Sequence, residues 1–204
     1  MLLIFDEAQT AFGRIGYKTG AEFHNVIPDI MSVSKTIGGG LPLAGVITTE
    51  KIEEGVHEKG FTYYTSHVSD PLPAYVGLAV LKVIREDYLI KRASTMGDYL
   101  KNKLSDLQQK FEVIGDVRGE GLLLGVELVK DRENREPFHH LGKITTERCF
   151  KNGLSMNIRR RKERGSVWRI APPLTVSYDE IDRAIDILDV SLRESLDEIT
   201  HHKV

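Results

Sequence analysis

The chain opens on an unbroken apolar run, Leu2-Leu3-Ile4-Phe5, that stops at Asp6-Glu7. A short continuous run of this kind predicts a parallel strand covered on both faces, not the alternation of a half-exposed one. Residues 30–33 and 44–48 repeat the signal, with Gly38, Gly39 and Gly40 between them. The first fifty residues therefore predict strand, loop, strand, glycine turn, strand. An aromatic and polar stretch follows at 61–67. Pro71 and Pro73 then open a helix in the early position that proline favours, and Ala74, Gly77, Leu78, Leu81 and Ile84 form its expected buried face. A second helix is predicted over 90–110, where Met96, Leu100, Leu104, Leu107 and Phe111 recur at helical spacing.

Beyond Phe111 the pattern changes. Residues 113–117 and 122–129 predict strands, and Gly119 and Gly121 permit a tight bend between them. A polar loop covers 130–141. A helix over 142–152 stops at Gly153, a residue type suited to the left-handed helix end. Strands at 154–158 and 167–170 flank the basic run Arg159-Arg160-Arg161-Lys162-Glu163-Arg164. Ser177 with Glu180 predicts a capping box, and Ile181, Ile185, Leu188 and Leu192 give the last helix one apolar face. These elements predict an α/β fold in two parts, 1–90 and 91–204. No internal repeat and no low-complexity tract stands out.

Composition narrows the class. The 204 residues are 41% hydrophobic and 28% charged, with a formal net charge of −2. That balance predicts a globular protein with no general attraction to nucleic acid or membrane. The basic run has no interleaved aromatics to stack on bases and reads as a solvated loop. Cys149 is the only cysteine, so no internal disulfide is possible, and a reducing, cytoplasmic compartment is expected. No apolar run approaches the ~20 residues of a membrane span. The opening residues do not predict a signal peptide. His57 and His67 lack a partner at zinc-site spacing. A strand of the buried type at residues 2–5 needs neighbours, so the chain is expected to be the C-terminal part of a longer protein.

Chemistry enters with Lys35 and Asp6. Both are expected just past the carboxyl ends of strands, where open α/β sheets bind ligands. An amine in such a place can form a Schiff base with an aldehyde. A carboxylate on the neighbouring strand can hold the protonated ring nitrogen of pyridoxal phosphate, PLP. The three glycines after Lys35 let backbone approach a ligand closely. A bare lysine after a strand is more commonly a solvated charge, and a bare strand-end aspartate commonly caps a turn.

Several blocks carry a resemblance. Leu3-Ile-Phe-Asp-Glu-Ala-Gln-Thr10, Phe12-Gly-Arg14 and Ser34-Lys-Thr-Ile-Gly-Gly-Gly-Leu-Pro-Leu-Ala44 resemble the class III aminotransferases of PLP fold type I. The blocks at 64–74, 115–127, 153–158 and 169–177 are similar to the branch of that family that decarboxylates 2,2-dialkylglycines. The resemblance runs from Leu2 to about Leu196. It implies the C-terminal part of a large PLP-binding domain followed by a small α+β domain. It also implies decarboxylation-dependent transamination with pyruvate as amino acceptor, amino acid and 2-oxo acid substrates, and a homodimer or dimer of dimers.

Roles follow from the same resemblance. Lys35 is the cofactor lysine and proton carrier, and Asp6 partners the ring nitrogen. Gln9 lies near the cofactor's phenolic oxygen and the substrate carboxylate. Arg169 clamps that carboxylate, a task its planar guanidinium suits. Ser66 meets the cofactor phosphate of the partner subunit; the branch has threonine here, and serine keeps the hydroxyl. Ser66, Val68 and Asp70 match ligands of a potassium or sodium ion, a hard cation suited to oxygen.

Three rivals stand beside this reading. A plain class III aminotransferase acting on ω-amino groups would share Asp6, Lys35 and Arg169. A strand ending in Asp-Glu also resembles the acidic motif of nucleotide-driven motors, but that reading needs a G-x-x-x-x-G-K-[ST] loop, and Gly16-Tyr17-Lys18-Thr19 does not supply one. A truncated, non-catalytic product is the third, and the chain alone is expected to be inactive.

Overall fold

The structure is a computed structural model and describes residues 1–158 and 166–201. Its contacts divide it into two compact units, Met1–Arg92 and Ala93–Val204.

The first unit is built on a three-stranded sheet, β1 (Ile4–Asp6), β2 (Ile30–Val33) and β3 (Gly45–Thr48), in the order β1-β2-β3. β1 and β2 run parallel, with Ile4 opposite Ile30 and Asp6 opposite Ser32, and β3 is antiparallel to β2. A loop and the single-turn helix α1 (Gly20–Phe23) make the connection between the parallel strands. A 3-10 turn, Lys35–Gly38, follows β2 and ends at Gly39 in the left-handed conformation. α2 (Glu50–Glu58) and α3 (Pro71–Glu86) complete the element list before α4 (Leu89–Lys110) begins.

Several expectations shift here. β1 starts two residues late and includes Asp6, because the ladder continues until the Glu7 amide donates to Ser32 O at 2.9 Å. It is not covered on both faces: Leu2, Leu3 and Ile4 are exposed, Ile4 at 62%. The face of α3 is also rotated. Gly77 and Ile84 are buried, but Leu78 is 67% exposed. The helix meets the glycine turn through Val76 and Val80, which face Gly39, and Gly77 lies against Leu43. α2 was not foreseen. Its signals are Thr49 at the cap position and Glu50 and Glu53 in the first turn, the acidic residues favoured there.

The second unit is a four-stranded antiparallel sheet, β4 (Ile114–Glu120), β5 (Leu123–Leu128), β6 (Asn157–Ile158) and β7 (Val167–Ile170), in the order β4-β5-β7-β6. With it go α5 (His139–Lys151) and α6 (Tyr178–His201). β5 alternates as a half-buried strand should: Leu124, Val126 and Leu128 are buried while Leu123, Gly125 and Glu127 are not. Trp168 on β7 is fully buried, and its indole N–H donates to Thr146 Oγ1 on α5 at 3.0 Å. The expected helical stripe Met96, Leu100, Leu104, Leu107 and Phe111 is buried throughout. Gly97 is buried beside it, and the α4 backbone passes so near the β4–β5 turn that a Cβ at Gly97 would lie 2.3 Å from Gly121 C and O.

The Ser177–Glu180 capping box is present. Ser177 N–H donates to Glu180 Oε2 at 2.8 Å, and Glu180 N–H returns to Ser177 Oγ at 3.3 Å. Along α6, Ile181, Leu188 and Leu192 are buried and Ile185 is half-buried. α5 starts three residues before the expected point, and β6 keeps only the last two residues of the expected strand. Cys149 is free and buried, and burial pushes its thiol pKa up. The basic run 159–164 lies outside the described residues. Among the described residues no helix is long and apolar enough to cross a membrane.

Candidate active site

Asp6 is the last residue of β1, and Lys35 is two residues beyond the end of β2. Because β1 and β2 are parallel neighbours, both residues lie at the same, carboxyl edge of the sheet. The Asp6 carboxylate is held on two sides. Its Oδ1 accepts from Ala8 N–H at 3.0 Å and from Ser32 Oγ–H at 3.3 Å. These bonds aim an exposed carboxylate; on its own it would rotate freely.

Lys35 opens the 3-10 turn with a φ of +57°. A non-glycine residue in the left-handed region costs about 1–3 kcal/mol and persists only where its surroundings demand it. Here the demand comes from the turn. Gly39 and Gly40 follow at φ +55° and +102°, and Val76 and Val80 of α3 press on Gly39 at distances a Cβ there would violate. The turn projects an exposed lysine at the edge that Asp6 shares.

Gln9 lies in the turn after β1 and is exposed. Arg14, in the same loop, has its pKa lowered by burial. Sequence reasoning singled out neither Glu7 nor Ser32. Glu7 is 1% exposed and accepts from Gly20 N–H at 2.9 Å, from Ala21 N–H at 2.8 Å and from the Thr10 hydroxyl. No local pattern announces this, since two partners are 13 and 14 residues away. Ser32 was legible only once its register opposite Asp6 was known.

Ser66 and Val68 are exposed in the loop 61–70. Asp70 ends that loop at the cap position of α3, with Oδ2 3.4 Å from His67 Nδ1. Among the described residues no three His, Cys, Asp or Glu side chains gather as metal ligands. α3 ties this loop to the Lys35 turn through its Val76 and Val80 contacts.

Arg169 belongs to the second unit. It is exposed on β7, paired with Gly125 and Asn157. It lines a cavity of about 570 Å³ whose walls include Leu104, Met156, Ile170, Pro172 and Ile181. A guanidinium at an otherwise mostly apolar wall suits the charged end of a small amphiphilic acid.

A strand-edge carboxylate oriented by two donors and a lysine projecting at the same edge match the acidic partner and Schiff-base lysine of a PLP site, so the residues present fit that cofactor. Comparison with known proteins bears on the same point. The aminotransferase class III family model matches residues 1–192. The chain belongs to the class III aminotransferases. An uncharacterised aminotransferase of Schizosaccharomyces pombe is 45% identical over 192 residues, 94% of this chain and 43% of that protein. The mitochondrial alanine–glyoxylate aminotransferase 2 homolog 2 of Arabidopsis thaliana is 39% identical over 196 residues, 94% of this chain and 39% of that protein. The solved structure of a Bacillus anthracis aminotransferase superposes with a TM-score of 0.90 at 31% identity, covering 95% of this chain and 45% of that one. This class III chain thus has the α/β fold of PLP-dependent transaminases and spans less than half the length of these relatives.

Proposed function

We propose that these 204 residues contribute the cofactor lysine and the substrate-carboxylate clamp of a PLP-dependent enzyme that couples decarboxylation of 2,2-dialkylglycines to transamination of pyruvate. Residues 1–90 are assigned to the large PLP-binding domain and 91–204 to the small one. The observation that carries the reading is the placement of Asp6 and Lys35 at one edge of parallel strands. Asp6 would hold the pyridine nitrogen, with Ser32 and Ala8 keeping its carboxylate aimed. Lys35 Nζ would bind the cofactor and carry a proton. Gln9 and Ser66 would make polar contacts to it, Ser66 through the phosphate across a dimer. PLP, when bound, supplies an electron sink for a bond breaking at the substrate α-carbon.

Arg169 would pair with the substrate carboxylate and, by fixing it, decide which α-carbon bond is presented for cleavage. Ser66, Val68 and Asp70 would add oxygen atoms to a potassium or sodium site. The buried, free Cys149 accords with a reducing, cytoplasmic location. The preference for decarboxylation rests on the block 64–74. The names of the S. pombe and A. thaliana relatives favour a second reading, plain transamination.

The test uses a full-length form, these 204 residues preceded by the amino-terminal portion that the relatives carry. Given 2-aminoisobutyrate and pyruvate it should release carbon dioxide and form acetone and alanine. Amino transfer without carbon dioxide release would assign it to the plain aminotransferases.

A further inference from the structure

We propose that Glu7 is a positioning residue for the cofactor site, a buried strut that fixes the loop from Ala8 to Thr19 and through it the Asp6 carboxylate and the Gln9 amide. The inference rests on the PLP reading above and extends it to a residue that reading leaves unused. Glu7 is adjacent to Asp6, and strand alternation sends the two side chains to opposite sides. Asp6 is exposed at the sheet edge; Glu7 is 1% exposed beneath it.

The Glu7 carboxylate closes the loop at both ends. At the near end it accepts from Thr10 Oγ1–H; at the far end it accepts from Gly20 and Ala21 N–H. Its backbone is held as well, the amide donating to Ser32 O at 2.9 Å and the carbonyl accepting from Ala11 N–H at 3.2 Å. The next amide, Ala8 N–H, is one of the two donors that aim Asp6. Gly20 allows the approach, since a Cβ there would meet Glu7 Oε1 at 3.1 Å. All three partners of the carboxylate are donors, so only a group with two acceptor oxygens satisfies them. Glutamine keeps the shape but turns an NH2 toward a donor in either orientation.

Three measurements test this. In the full-length form, Glu7→Gln should accelerate amide hydrogen exchange at Gly20 and Ala21. In the full-length form, Glu7→Gln should weaken PLP affinity of the folded fraction about tenfold, the loss expected of one charge-assisted hydrogen bond. Thr10→Val should weaken it in the same direction by a smaller factor, and Thr10→Ser should restore it; this pair keeps the test decisive where Glu7→Gln does not fold. A purely structural Glu7 would lower the melting temperature of the variants while leaving PLP affinity of the folded fraction unchanged, and that result overturns the proposal. A parent form that folds yet binds no PLP overturns the cofactor reading beneath it instead.

Discussion

Ser32 and Asp6 stand opposite each other on adjacent parallel strands, and the Ser32 hydroxyl donates to Asp6 Oδ1 at 3.3 Å. Three residues after Ser32 the same strand delivers Lys35 into a left-handed backbone conformation. One register therefore sets both the direction of the acidic group and the position of the amine. A one-residue slip would turn Asp6 to the other face of the sheet and separate them.

The first prediction concerns the amine. Borohydride treatment of the PLP-loaded full-length form should attach the cofactor irreversibly to the peptide containing Lys35. Lys35→Ala should abolish that label and lower activity by several orders of magnitude, since it removes both nucleophile and proton carrier. A label mapped by mass spectrometry to Lys18 or Lys51 would refute the assignment.

The placement of Asp6 and Lys35 at strand ends is legible in the linear sequence, because each closes or follows a short apolar run. The same is true of α4 and of the Ser177–Glu180 box, where periodicity and a three-residue spacing suffice. Other features depend on contacts between distant segments. The Leu2–Ile4 run reads as buried, yet burial depends on what lies against a strand, and here only β2 pairs with it. The α3 stripe is offset because the turn at Gly39, not the helix's own pattern, selects Val76 and Val80 as the contact. Glu7 reads as half of an Asp-Glu pair, and its buried role appears only when Gly20 and Ala21 fold back onto it.

A second prediction tests the close passage in the second unit. Gly97→Ala gains about 1 kcal/mol of helix propensity. The new methyl would lie 2.3 Å from the Gly121 backbone, and such overpacking costs about 1–3 kcal/mol or more. The clash is with backbone and no side chain can swing aside, so the cost should win. Chemical denaturation should show a lower midpoint for Gly97→Ala than for the parent, whereas Gly55 of α2, a helix glycine where an added Cβ would meet nothing within 4 Å, should show no such loss.

A third prediction concerns acid. Lys103 donates to Asp182, with Nζ 2.8 Å from Oδ1, and Tyr99 donates to the same oxygen at 2.7 Å. The Lys103 bond first and the Tyr99 bond second lower the Asp182 pKa from its ordinary 3.8. A depressed carboxylate stabilises the fold above its unfolded value and loses that contribution as pH falls through the folded one. Asp182→Asn should therefore melt below the parent at pH 7, and the gap should close as pH drops beneath 3.8. A gap that persists unchanged at low pH would show that the bonds act without the charge.

The last prediction concerns the chain by itself. β1 and β3 are the outer strands of the three-stranded sheet. Around them Ile4 is 62% exposed, Val46 69%, Ile47 57% and Tyr75 74%. An unpaired strand edge beside exposed apolar side chains is a template for association. The second unit differs, with Trp168, Leu122, Val126 and Leu192 fully buried. Expressed alone, the 204 residues should self-associate through the first unit. Trp168 fluorescence should meanwhile report a cooperatively folded second unit. Light scattering should fall when charged residues replace Ile4 and Val46, with the Trp168 transition unchanged. Neither decarboxylase nor transaminase turnover should appear at saturating PLP, because a placement error of even ~1 Å in a catalytic group costs on the order of a hundredfold in rate. A monodisperse, catalytically active preparation of these residues would refute the prediction.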